Sequence, residues 1–159
     1  MRVSRAWLLA CLVLPFLAAC VIAPTESVAP PSVTYTCCTD EDVNTPYEPG
    51  QTLTVHWIVE HSPEPGGVPP QVELTAHLTG PYATVEALKS AIVAARDIPG
   101  VVTFAAAPVR PAGTPDEQPV SPITIPGEAQ PGYYNLTTSV VDGDHTASGS
   151  SIVQVVSRG

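Results

Sequence analysis

The sequence predicts an all-β domain of about seven short strands with one short inserted helix, the inventory of a two-layer sandwich. Three observations predict it. Residues 51–60 and 71–79 alternate apolar and polar side chains with a period of two, as half-buried strands do. Only residues 84–96 place apolar side chains at helical spacing. The 19 Pro and 11 Gly of the 159-residue chain supply the frequent turns that short strands need.

In chain order, residues 33–36 make a first short strand. Pro49-Gly50 turns into 51–60, where Leu53, Val55, Trp57 and Val59 face inward and Thr52, Thr54 and His56 outward. The Pro- and Gly-rich stretch 62–70 leads to 71–79, with Val72, Leu74, Ala76 and Leu78 inward and Gly80-Pro81 as its expected end. In 84–96, Val85, Leu88, Ala91, Ile92 and Ala95 share a helical face behind Thr84, a suitable N-cap, and Asp97-Ile98-Pro99-Gly100 stops the helix. Short strands at 101–106 and 121–125 flank the proline-rich loop 108–119, and 133–141 with 148–156 closes the domain as a hairpin around Asp142-Gly143-Asp144.

The segment Pro131-Gly132-Tyr133-Tyr134-Asn135-Leu136 sets a Pro-Gly turn before an alternating strand, with Tyr134 and Leu136 on one face. It resembles the tyrosine corner, and together with residues 47–57 it makes the stretch 33–157 similar to an immunoglobulin-like β-sandwich, with the domain proper at 34–157. The resemblance implies structural roles for Tyr134, its hydroxyl bonded to upstream backbone, and for Trp57. The inter-sheet cysteine pair of antibody domains is missing: Val55 or Trp57 and Leu136 stand in the corresponding places.

At the N-terminus, Arg2 and Arg5 precede an apolar run at 6–16, the length of a secretory signal's core and short of a membrane span. Leu17-Ala18-Ala19-Cys20 follows, and it resembles the lipobox of bacterial lipoproteins. That resemblance implies a signal peptide at 1–19 and a lipidated Cys20, with diacylglycerol on its sulfur and acyl chain on or near its amino terminus. It also implies residence in the bacterial cell envelope, anchored to a membrane on the extracytoplasmic side. Residues 20–33 then read as the lipidated cysteine and a proline-rich tether, and at about 3.1 Å per residue this spans on the order of 40 Å.

The chain carries Lys+Arg 6 against Asp+Glu 15. Without the leader, only Lys89, Arg96, Arg110 and Arg158 oppose all the acids, too few and too scattered for a phosphate-binding patch, so no nucleic acid is expected as a partner. Membrane attachment must rest on the acyl chains rather than on attraction to anionic lipid.

Cys37-Cys38 is the thiol pair left in an oxidising compartment once the leader is removed and Cys20 is modified. Three fates are open: a vicinal disulfide in an eight-membered ring, an intermolecular bridge, or a soft-metal site. A local redox clip on the first strand is the preferred one, and the pair lacks the two-residue spacer of Cys-x-x-Cys oxidoreductases. Asp40-Glu41-Asp42 and Asp142-Gly143-Asp144, the latter beside His145, do not match a calcium loop and read as solvated turns. His56 and His77 fall on opposite sheets and read as solvent-facing, so no metal is expected. The single Met is Met1, which rules out an axial methionine at a blue-copper centre. No Gly-x-Ser-x-Gly elbow occurs, and Asn135-Leu136-Thr137 matches a glycosylation acceptor by chance. The expectation is a lipid-anchored extracytoplasmic module with a binding or envelope-structural role, an unidentified protein or envelope ligand as partner, no cofactor and no catalysis. The alternative is a metal-binding or redox module using Cys37 and Cys38 with the neighbouring acids Asp40 and Asp42.

Overall fold

A computed structural model describes residues 34–59, 71–94, 98–114 and 116–159. The expected signal peptide, the Cys20 site and the tether lie outside the described residues. The strands are β1 Tyr35–Cys37, β2 Thr52–Val59, β3 Val72–Tyr82, β4 Val102–Ala105, β5 Val120–Thr124, β6 Gly132–Asp142 and β7 His145–Val155, and the helices are α1 Asp40–Asn44 and α2 Val85–Ala94. Two antiparallel sheets, β1-β2-β5 and β4-β3-β6-β7, form an all-β sandwich. Its strand order is that of an immunoglobulin-like sandwich whose fourth strand has joined the sheet of the third, sixth and seventh.

The period-two pattern decides which residues meet between the sheets. Leu53, Val55 and Trp57 of β2 and Ile123 of β5 bury against Leu74, Leu78, Leu136 and Val153 of the other sheet. Val55 and Leu136 are fully buried, so apolar packing fills the place where antibody domains carry a disulfide. Trp57 keeps its indole satisfied by donating from Nε1 to the buried Ser121 Oγ at 2.9 Å. The Tyr134 hydroxyl donates to the Gln130 carbonyl at 2.7 Å, four residues upstream. Tyr134→Phe is expected to cost about 1 kcal/mol, the net worth of one such bond, with no change of fold; an unchanged urea midpoint would show that the bond does not stabilise the corner.

Three sequence expectations are corrected. Gly80-Pro81 does not end β3, which continues to Tyr82 and pairs it with Tyr133. The register shifts between Thr79 and Tyr82, and this irregularity lets the proline, which has no N–H, be passed without breaking the ladder. Gly80 is buried there against Tyr134: a β-carbon at this position would lie 2.6 Å from the ring Cγ and 2.9 Å from the Tyr133 carbonyl oxygen. Second, residues 40–44 form a helix rather than a solvated turn. Third, the inserted helix is therefore not the only one. It follows its expected cap, the Ala87 N–H donating to Thr84 Oγ1 at 3.1 Å.

The proline-rich loop is tied down at both ends. Val109 exchanges backbone bonds with Leu74 at 2.8 and 2.9 Å, and the Glu117 carboxylate accepts from the Ala112 and Gly113 N–H groups at 3.0 Å each. The Arg110–Glu73 pair beside it is solvent-exposed and adds little. At one end of the sandwich lie the start of β1, the end of β2 and the Gly143-Asp144 turn between β6 and β7. α2 follows the last residues of β3 at the other end, where Tyr47 bonds Gln154 and Val156 and the Arg158 guanidinium donates to the Pro49 carbonyl at 2.6 Å.

Candidate functional site

The polar groups concentrate where β1 runs into α1. α1 is only five residues long and needs help to form. Thr39 supplies it through a capping box: its Oγ1 accepts from the Asp42 N–H at 3.3 Å, and its own N–H donates to Asp42 Oδ2 at 3.0 Å. The same Oδ2 accepts the His56 backbone N–H at 3.1 Å, while Oδ1 faces His56 Nδ1 at 2.7 Å. Tyr47 donates its hydroxyl to the Asp42 carbonyl at 3.0 Å. The Asp42 carboxylate thus fastens the start of α1 to β2, and the Asp42 carbonyl holds the chain leaving α1.

Asp42 is buried, its side chain 4% exposed, whereas the His56 ring is half exposed. Burial alone would raise the Asp42 pKa. The hydrogen bonds from the His56 ring, the His56 N–H and Thr39 outweigh it and hold the carboxyl below its usual value of 3.8. An ionised Asp42 fixes the imidazole with its proton on Nδ1 and leaves Nε2 as the available ring nitrogen. The stability that comes from a lowered carboxyl pKa is present above the unfolded-state value and is lost as pH falls through the folded one. The unfolding midpoint should therefore drop more steeply below pH about 4 in the wild type than in Asp42→Asn, which has no such proton to take up. Parallel pH curves for the two proteins would remove Asp42 from the acid response.

Two openings flank this junction. A cleft of about 530 Å³ is lined by Thr39, His56, Trp57, Ile58, Asp116 and Glu117. A narrower seam of about 210 Å³ runs between the sheets at their β1 and β7 edges, lined by Tyr35, Cys37, Trp57, Thr138, Val140 and Ser148. Cys37 and Cys38 are bonded to each other through their sulfurs. Both are half-buried, and both pack against the core.

The structure therefore brings Cys37, Cys38 and Trp57 together and leaves Tyr134 in a separate, structural position. Cys20 lies outside the described residues. His77 sits in the opposite sheet from His56, between Ala105 and Thr137 in register. His56 faces solvent as expected, and its ring is in addition fastened to the buried Asp42 carboxylate. The bond of Asp42 to His56 is the feature that sequence reasoning missed. The available signal was Thr39-x-x-Asp42, an acidic version of the capping box. Among the described residues, no group of three or more His, Cys, Asp or Glu side chains is placed to hold a metal ion, and no helix is long and apolar enough to cross a membrane. No protein-family model matches the chain, and no curated protein matches it.

Proposed function

We propose that the protein is a lipid-anchored, extracytoplasmic immunoglobulin-like module of the bacterial cell envelope that binds a protein or envelope ligand and performs no catalysis. The observation that carries this reading is the order of signals along the chain. A charged start and a short apolar run lead to Leu17-Ala18-Ala19-Cys20, a proline-broken stretch follows, and a sandwich begins at Tyr35. Acyl chains at Cys20 supply the membrane affinity, and more than one is needed to hold a protein stably. The loops and clefts of the sandwich supply the binding surface, in keeping with a fold that serves many partners by varying its loops.

The test is phase partition of the full-length protein expressed in bacteria. The wild type should enter the detergent phase, and Cys20→Ala should move to the aqueous phase with its thermal transition unchanged. Persistence of the variant in the detergent phase would overturn the lipoprotein reading. Pull-down from detergent-solubilised envelopes with the wild-type protein then addresses the binding role, which fails if nothing is retained above a matrix carrying no protein.

A further inference from the structure

We propose that the outer edge of β7 at residues 146–150 is a strand-addition site, which takes an extended, uncharged segment of a partner protein flanked by Lys or Arg. The inference rests on the binding role proposed above and names its surface and partner chemistry; it needs neither the lipid anchor nor the leader.

The ladder fixes which backbone groups of β7 are on offer. β7 pairs with β6 without a register shift, from Asp142 opposite His145 to Gly132 opposite Val155. On the side away from β6, the Gln154 carbonyl accepts from the Tyr47 N–H at 2.9 Å and the Val156 N–H donates to the Tyr47 carbonyl at 2.8 Å. Backbone groups alternate sides along a strand, so Thr146, Ser148 and Ser150 point theirs the same way as Gln154. Among the described residues, none of the three meets a backbone partner there. The path of the first strand explains this. β1 pairs with β2, the chain crosses through α1, and it reaches β7 only at Tyr47.

The other sheet edges are blunted, and this one is not. β1 has three residues, β4 has four and β5 carries Pro122 in mid-strand. β7 has eleven residues, and 146–155 contain no charged residue and no proline. The face that an added strand would share is open as well. Ala147 and Gly149 alternate in phase with the buried Val153 and Val155, toward the other sheet, yet both are exposed. With Thr138, Val140 and Cys37 they line the seam of about 210 Å³. A strand added at this edge turns every second side chain toward the seam, which has room for one aliphatic group beside Gly149.

Charge decides between a foreign strand and a second copy. Asp142 and Asp144 stand at the turn end of the edge, and α1, which packs beside β7, exposes Asp40 and Glu41. The described cations are elsewhere: Lys89 on α2, Arg110 on Glu73 and Arg158 on the Pro49 carbonyl. A second copy would bring its own acids to these, in a chain with Lys+Arg 6 against Asp+Glu 15. Lys or Arg flanking the incoming segment meets them with opposite charge.

The experiment uses the full-length chain and a capped peptide probe, Lys-Thr-Val-Thr-Val-Thr-Lys. At saturation, amide exchange should slow about tenfold or more at Thr146, Ser148 and Ser150, while Ala147 and Gly149, already in the β6 ladder, stay unchanged. Uniform slowing, or none, would overturn strand addition. Ser150→Pro removes an outward donor without touching that ladder and should weaken binding about tenfold or more. Should it fail to fold, Gly149→Leu, which fills the seam, should weaken binding as much, and unchanged affinity sinks the site. A probe with Glu in place of Lys that binds equally well would overturn the basic partner, and a dimer that protects the same amides without peptide would replace it by a second copy. In the envelope pull-down, partners retained equally by wild type and Ser150→Pro would overturn the edge and leave the binding role standing, whereas retention of nothing overturns the role itself.

Discussion

Trp57→Ala should lower the stability of the sandwich by about 4 kcal/mol, within the range for deleting a buried indole. Trp57 is 4% exposed at the centre of β2, where it lines both the cleft and the seam. Removing it leaves a large void that the facing Leu and Val side chains cannot fill, since strands held in two ladders do not collapse far. The Ser121 hydroxyl, fully buried, also loses its partner, and an unsatisfied buried hydroxyl carries its own cost. For a domain whose total stability is of order 5–15 kcal/mol, this is a large share of the whole. Trp57→Phe should recover most of the packing and only part of the hydrogen-bond loss, so urea midpoints should rank wild type, Phe, Ala. A Phe variant no more stable than the Ala variant would mean that the Ser121 bond, rather than indole volume, dominates.

Gly80→Ala should cost about 3 kcal/mol, the upper part of the usual range for overpacking, although it adds a single carbon. That carbon would fall inside contact distance of the Tyr134 ring and of the Tyr133 carbonyl oxygen. The ring cannot swing aside without breaking its bond to Gln130 and entering the packed centre of the domain, and the carbonyl belongs to the β6 backbone. Gly149→Ala is the matched control. Its β-carbon would meet nothing closer than Thr138 Oγ1 at 3.4 Å, and the expected change stays below about 1 kcal/mol. Similar losses at the two positions would show that backbone freedom, and not the Tyr134 contact, makes Gly80 necessary.

The strands of the sandwich were legible because β2, β3 and β6 each bury one face against a facing sheet, which forces apolar residues to every second position. Leu53, Val55 and Trp57 announce themselves in this way, as do Leu74, Ala76 and Leu78. α2 was legible for the complementary reason, a change of period behind a capping threonine. What escaped was decided by contacts between distant segments. Only the Thr39-x-x-Asp42 spacing locally distinguishes Asp42 from its exposed neighbours Asp40 and Glu41, and that spacing does not foretell its burial. Its burial follows from meeting a His56 that lies fourteen residues away. Likewise Gly80-Pro81 carries the local signature of a terminator, and the strand passes it only because Tyr133 is there to pair with Tyr82. The bond between Cys37 and Cys38 was one of three fates compatible with their adjacency, and adjacency alone could not choose among them.

The arrangement of the two ends of the sandwich gives the molecule a direction. The described chain enters at the β1 end, beside the Gly143-Asp144 turn, while α2 caps the opposite end and exposes Ile92 and Val93. Under the anchoring proposed at Cys20, the turn is the pole nearer the lipid and α2 the pole offered outward. Length of leash then sets which visitors can reach what: a bulky macromolecule arriving from the aqueous side encounters α2 first, whereas the turn is sheltered from it by the membrane. The seam beside Cys37, lined by Tyr35, Val140 and Ala147, opens near the turn pole rather than near α2.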